Sequence, residues 1–166
     1  MKIIGFSKID GVVQMVLKCD SSLLVNSKPF FIPDWSNDVR MTPCVVLRVS
    51  RLGKSIGTKF ATRYYDAVAP ALNIYAADIL AKGDWVQGLA FDYALPTGKF
   101  IERERNPWSD TIISLDEAVH RASEVMTIRQ GDLIFIDRAI PSRVLEREEV
   151  IIERIGDEEL LLCKVK

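Results

Sequence analysis

The residues able to do chemistry are present in this chain, but few are spaced for it. His120 is the single histidine. It falls beside Glu117, Arg121 and Glu124, off the apolar stripe of its segment, and so reads as a solvated side chain rather than an inward base. No serine stands in a Gly-x-Ser-x-Gly elbow. Gly53-Lys54-Ser55 lacks the upstream glycine of a phosphate-binding loop. The carboxylates crowd into Glu102/Glu104, Glu146/Glu148/Glu149 and Asp157/Glu158/Glu159, runs that read as charged edges and loops. A hard divalent cation wants several inward oxygens, and no Glu-x-Glu pair stands on an apolar strand. Single groups remain: Lys18, Cys44, Asp78 and Asp92. Lys18 or Cys44 becomes reactive where desolvation shifts its pKa. The plainer reading makes Cys44 a small core residue, and Asp78 and Asp92 turn or cap carboxylates.

The elements that must position these groups are mostly strands. Met1–Phe6 and Val12–Leu17 are short apolar runs of strand length. Leu23-Leu24-Val25 resumes a strand after Asp20, Ser21 and Ser22, and Asn26–Pro29 is a turn. Phe30–Pro33 is extended, and Asp34–Asn37 is a polar loop. Cys44–Val49 is a β-branched strand. Ile56, Phe60 and Tyr64 recur at helical spacing, which predicts a short helix from about Thr58 to Asp66. Val68 to Tyr75 alternates as a strand and sets Asn73 on the face opposite Leu72 and Ile74. Asp78 to Lys82 forms one helical turn, stopped by Gly83. Asp92–Ile101 is irregular, and Glu102–Pro107 is a solvated connection. Leu115–Met126 is the strongest helix, with Ser114 and Glu117 at capping-box spacing. Leu133–Ile136 is a buried strand. Val150–Ile155 and Leu160–Val165 form a hairpin across Gly156-Asp157. The tryptophans Trp35, Trp85 and Trp108 fall in loop-like segments, where one can mark an interface.

At 166 residues the chain reads as a single domain, 1–166, with an ordinary 48% hydrophobic fraction. A net charge of −1 speaks against nucleic-acid or membrane-surface partners held by a global field. No apolar run reaches the roughly 18–20 residues of a membrane span, and the N-terminus has no signal-peptide core. Three cysteines, Cys19, Cys44 and Cys163, without Cys-x-x-Cys spacing, read as reduced, buried thiols of a cytoplasmic protein.

The stretch Arg51 to Asp92 carries the clearest pattern. It holds Arg51-Leu52-Gly53-Lys54, Arg63-Tyr64-Tyr65-Asp66, Trp85 and Phe91-Asp92. With Leu17–Leu24, Lys28–Pro33, Met126–Phe135 and the final hairpin, it resembles the fumarylacetoacetate hydrolase family, in particular its branch of dienedioate isomerases and fumarylpyruvate hydrolases. The resemblance covers most of the chain and implies an α+β, mostly β fold, a mixed sheet roll with two or three short helices that pairs as a homodimer.

The same resemblance implies a lost site. Family members bind Mg or Mn through a Glu-x-Glu pair and a later Asp; the matching positions here are Thr42, Cys44 and Asn73. No metal or other cofactor is therefore expected. The family's Arg in Ala-Arg-Asp falls on Ala77, although Asp78 remains. Its Lys before Gly-Phe-Asp falls on Leu89, and its Thr-Gly-Thr-Pro on Ile136–Ala139. The segment with its His and Glu is absent before Val12–Leu17. Lys18, Asp78 and Asp92 are left as remnants of the pocket, with Cys44 beside them. The expectation is a degenerate, non-catalytic protein, a pseudoenzyme, that binds a small molecule, a second copy or an active paralogue. The alternative is residual hydrolase or isomerase chemistry on a small dicarboxylic or acylpyruvate-type keto acid.

Overall fold

The computed structural model describes residues 1–166, and its centre is one mixed sheet. The strands are β1 (Ile3–Ile9), β2 (Val12–Lys18), β3 (Leu23–Leu24), β4 (Val39–Val49), β5 (Tyr65–Ala76), β6 (Leu95–Pro96), β7 (Ile101–Glu102), β8 (Leu133–Asp137), β9 (Arg143–Val144), β10 (Val150–Ile155) and β11 (Glu158–Lys164). The helices are α1 (Ala77–Leu80), α2 (Trp85–Leu89) and α3 (Leu115–Val125). The large sheet runs β2-β1-β8-β4-β5-β7, with β9 added on β4; β10 and β11 pair separately, as do β3 and β6. Within the large sheet only β1 and β8 run parallel. No helix is long and apolar enough to cross a membrane.

Strand alternation divides the sheet's side chains between two faces. Ile4, Phe6, Val45, Leu47, Val68, Ile134 and Ile136 face α3 and bury its Ala118, Val119 and Ala122. Met41, Leu72 and Ile74 continue that face under β11, against Leu161 and Cys163. The opposite face carries Ile3, Val16, Cys44, Val46, Ala71 and Phe135 and is covered by Leu89 of α2 and Leu95 of β6. The candidate site lies on this second face.

Several local expectations hold. Ser114 Oγ accepts from Glu117 N at 3.1 Å and starts α3. Gly156 and Asp157 join β10 to β11, with Ile155 opposite Glu158. Asp10 and Gly11 both take positive φ, the two-residue turn that lets β1 fold back on β2. Pro70 survives inside β5 because its backbone faces outward. Its carbonyl accepts from Gly98 N, while β7 pairs only with Ala67 and Val68, so no ladder bond needs the missing N–H.

Other expectations are corrected. Thr58–Tyr64 is a 3-10 helix rather than an α-helix, and β5 already starts at Tyr65. Its spacing is three, not four, so Ala61 is buried and Phe60 is 41% exposed. β4 begins at Val39, five residues before Cys44, and runs through Pro43. β1 extends to Ile9. Trp85 opens α2 instead of lying in a loop, and Trp108 is buried. Cys19 is exposed, whereas Cys44 and Cys163 are buried thiols.

Candidate functional site

The register of three central strands builds the site. Thr42 on β4 lies directly opposite Asn73 on β5. Cys44, two residues along β4 and on the same face, lies opposite Ala71 on one side and Asp137 of β8 on the other. Ser7 of β1 and Lys18 of β2 complete a polar set in an otherwise apolar layer. Ser7, Lys18, Thr42, Asn73 and Asp137 are all buried.

Hydrogen bonds tie the set together. Ser7 Oγ donates to Asp137 Oδ2 at 2.6 Å. Asn73 Nδ2 donates to Asp137 Oδ1 at 3.0 Å and to Ser7 Oγ at 3.2 Å. Asn73 Oδ1 is buried without a partner. Lys18 Nζ donates to Ile74 O at 2.7 Å and to Leu89 O at 2.8 Å, tying β2 to β5 and to the end of α2. The amine also sits 5.9 Å from the ring centres of Phe91 and Phe135. Phe135 finds room there because β1 carries Gly5 opposite it. A Cβ on Gly5 would lie 2.0 Å from the ring.

Burial dominates the electrostatics. It pulls the Lys18 amine down to about 7, against the opposing influence of Cys44 and Asp137. It pushes the Asp137 carboxyl up to about 6, against the hydrogen bonds from Ser7 and Asn73 and the charge of Lys18. It pushes the Cys44 thiol well above its usual range, with Asp137 adding to the rise, so Cys44 is a protonated thiol and not a nucleophile.

A cleft of about 390 Å³ opens at the Thr42 and Asp137 end of this set, lined also by Lys8, Tyr75, Arg138 and Ser142. A second recess of about 300 Å³ shares Lys8, Tyr75 and Ser142 with it and reaches Ser7 and Leu89. A larger hollow of about 820 Å³ lies between β2, α2 and the end of α3; Lys18 lines this one, but the rest of its lining is nearly all apolar. Convergent polar groups rather than size mark the smaller cleft as the candidate site.

The other residues singled out in the sequence lie apart from this set. Asp78 accepts from Ser36 Oγ at 2.6 Å and from Asn37 N at 3.0 Å, and those bonds hold its pKa below the usual carboxylate range. Asp92 is exposed and joins no hydrogen bond of the site. His120 is half-buried rather than solvated, with Nδ1 2.7 Å from Ile56 O. Asp137 and Ser7 escaped the sequence reading. The only local signal for Asp137 is a carboxylate closing an unbroken apolar run.

A scan against protein-family models finds no match, and a search of curated proteins finds none either. Solved structures do match. Fumarylpyruvate hydrolase from Pseudomonas aeruginosa, in complex with Mn²⁺ and pyruvate, superposes at TM-score 0.83 with 17% identity, over 99% of this chain and 88% of that one. The 2-hydroxyhepta-2,4-diene-1,7-dioate isomerase of Mycobacterium marinum gives 0.84 at 18% identity, over 99% and 73%. A Yersinia pestis CO92 protein placed in the fumarylacetoacetate hydrolase family gives 0.81 at 14%, over 99% and 91%. The chain has the fumarylacetoacetate hydrolase fold. Within that fold Thr42, Cys44 and Asn73 share one face, so the positions to which the resemblance assigns metal ligands do come together. Their chemistry does not suit a hard dication. One hydroxyl, one protonated thiol and one amide surround a single carboxylate, Asp137, whose two oxygens already accept from Ser7 and Asn73. No group of three or more His, Cys, Asp or Glu side chains is arranged to hold a metal ion.

Proposed function

We propose that the chain is a non-catalytic member of the fumarylacetoacetate hydrolase family, a pseudoenzyme that keeps the fold and cleft and lacks the metal chemistry. One observation carries the reading. At the meeting of β4, β5 and β8 the only carboxylate is Asp137, and it is engaged by Ser7 and Asn73. A dication binds through several anionic oxygens free to turn toward it. Such a chain acts through what it binds: a small molecule in the cleft, a second copy of itself in a homodimer, or an active relative.

The test is titration of Mg²⁺ and Mn²⁺ by calorimetry with a thermal-shift readout. A ligand that binds only the folded state raises apparent stability by mass action. The reading expects no saturable heat and no rise in Tm at millimolar metal, and no turnover of acylpyruvates. Saturable binding overturns it. Sedimentation at micromolar concentration reads the homodimer.

A second reading has its own support. Lys18 and Asp137, an amine lowered to about 7 and a carboxyl raised to about 6 by burial, lie on the same face of the sheet, and each can hold or release a proton near neutral pH. It makes the chain a metal-independent hydrolase or isomerase of a small dicarboxylic or acylpyruvate-type keto acid. Turnover that survives chelation and is lost in Asp137→Asn supports it.

A further inference from the structure

β2 is the outer strand of the large sheet and pairs only with β1. Asp10 and Gly11 join the two strands through a two-residue turn, so Ile9 and Val12 exchange both hydrogen bonds of their pair. From that pair on, Val12, Gln14, Val16 and Lys18 turn their backbone groups to β1, and Val13, Met15 and Leu17 turn theirs outward. The outward groups meet no other strand or loop. The remaining edges are protected. β5 is covered at the far side, where Ile74 N donates to Ala94 O, Gly98 N donates to Pro70 O and β7 pairs with Ala67 and Val68. β10 is open along one side but carries Glu153 and Arg154 with a register shift between them, a charge and a bulge of the kind that keep edges apart. β2 has neither. Its one charged residue, Lys18, donates inward to Ile74 O and Leu89 O. The flanks of this edge are apolar. Trp85 and Val86 of α2 stand on one side, Val125 and Met126 at the end of α3 on the other, and the hollow of about 820 Å³ runs between them along the second half of β2. Met1, Val12, Leu17, Trp85, Val86 and Val125 are 42% to 75% exposed. Together they present on the order of 600 Å² of apolar side chain, the size of a patch that marks an interaction surface. The charged groups of the hollow are already engaged, Lys2 by Asp132 and Lys18 by the two carbonyls.

We infer that the outer edge of β2 seats a second copy of this chain, whose own β2 adds to it antiparallel and carries the sheet through both molecules. The inference names the face of the homodimer proposed above and rests on that part of the reading. An open strand edge takes an extended chain, because only a strand returns a partner to each outward N–H and C=O. The uncharged flanks ask for apolar side chains on that strand. β2 itself meets both demands. Set antiparallel about a two-fold axis at Met15, Val13 of each copy lies opposite Leu17 of the other, and the outward groups of Val13, Met15 and Leu17 are all paired. Val12 of each copy then lies opposite Lys18 of the other, on the face where α2 stands, and is brought to the hollow beside Trp85 and Val86. Two copies bring together about 1,200 Å², the low end of a specific interface. Both β2 edges are covered, so the assembly closes at two.

Sedimentation across micromolar concentrations reads the mass, and hydrogen exchange reads the face. The chain is expected to approach the mass of two copies as concentration rises. The Val13, Met15 and Leu17 amides are expected to slow in step with it, while those of Gln14 and Val16 are protected at every concentration. Leu17→Lys sets a charge on the edge twice per dimer and is expected to raise the dissociation constant at least about tenfold. Leu17 is 51% exposed, so the change leaves the fold intact. Met15→Pro removes an N–H that is bonded to nothing within the chain and is expected to weaken pairing as much. If Met15→Pro fails to fold, Leu17→Lys and the wild-type amides decide. A chain that stays monomeric overturns the inference and leaves the edge to an extended apolar segment of another protein. A dimer whose Val13, Met15 and Leu17 amides exchange as freely as in the monomer, or one that Leu17→Lys does not weaken, also overturns it and moves the homodimer to another face. Metal binding or turnover bears on the non-catalytic reading alone, so the two fail separately.

Discussion

Asn73 reaches across β4 to Asp137: its Nδ2 lies 3.0 Å from Asp137 Oδ1, while its own Oδ1 finds no partner. The two residues sit on strands that never touch, β5 and β8, with β4 between them. The bond pins the carboxylate into the sheet face. It also leaves one buried acceptor unsatisfied, a cost of about 1–3 kcal/mol. That cost offsets part of what the bonds to the carboxylate and to Ser7 contribute.

The pH dependence of stability follows from the two buried charges. Burial raises the Asp137 carboxyl from 3.8 to about 6. Its favourable contribution is complete below the unfolded value and is lost as pH rises through about 6. Burial lowers the Lys18 amine from 10.5 to about 7. Its contribution is complete above the unfolded value and is lost as pH falls through about 7. Each shift is worth a few kcal/mol at about 1.4 kcal/mol per unit. The difference in unfolding free energy between the wild type and the Lys18→Met, Asp137→Asn double variant should show a trough between pH 6 and 7, rising on both sides. Urea melts across pH 4 to 9.5 measure it, and a flat difference contradicts the assignment of burial as the main cause.

Gly5 is where close approach decides the residue. A methyl group there would lie 2.0 Å from Phe135 Cζ and within 2.6 Å of two further ring atoms. Phe135 is fully buried and cannot swing away without disturbing Lys18 above it. Overpacking of this kind costs about 1–3 kcal/mol or more, which is a fall of about 2–12 °C in Tm for a chain of this size. Gly5→Ala should lose that much, and Phe135→Leu in the same chain should restore part of it. An unchanged Tm in Gly5→Ala means that the ring has another place to go.

How far the sequence could be read depends on whether the deciding contacts are local. The α3 helix was legible because its stripe of Ala118, Val119 and Ala122 and its Ser114 cap lie within one segment. The β10–β11 hairpin was legible because Gly156 and Asp157 lie in its turn. The segment Thr58–Tyr64 misled because Ile56, Phe60 and Tyr64 imitate an α-helical period while the chain winds at three residues per turn. The site was half legible. Thr42, Cys44 and Asn73 came from resemblance, and strand register brings them together. Asp137 was hidden because what holds it lies 130 residues away at Ser7 and 64 away at Asn73. An apolar run that ends in Asp looks locally like a strand running out to solvent.

Asp78 should behave as a loop anchor and nothing more. Ser36 Oγ first, and then the Asn37 amide, hold its pKa below the usual carboxylate range. That contribution is present above the unfolded pKa and is lost as pH falls through the lower folded value. Asp78→Ala should speed hydrogen exchange at the Asn37 and Asp38 amides and leave the pH dependence carried by Lys18 and Asp137 untouched. A shifted profile would mean that Asp78 communicates with the cleft, contrary to its place in the fold.

Restoring the missing carboxylates is the strongest check on the geometry. Thr42 and Asn73 are directly opposed across a strand pair, and Cys44 stands two residues further along the same face. Side chains so related come within about 5–8 Å of one another, close enough to converge on one ion. In Thr42→Glu/Cys44→Glu/Asn73→Asp the amide that held Asp137 becomes a second carboxylate against it. Like charges at that distance repel, so the triple variant should melt well below the wild type without metal. Mn²⁺ should then raise its Tm, by the equivalent of about 2.7 kcal/mol when free metal reaches a hundred times the dissociation constant. The wild type should not respond. If both proteins respond, the wild type already holds a metal site and the non-catalytic reading falls. If the folded triple variant does not respond, the face has lost the shape of a metal site as well as its charges, because oxygen ligands of the right kind are then present and still fail to meet.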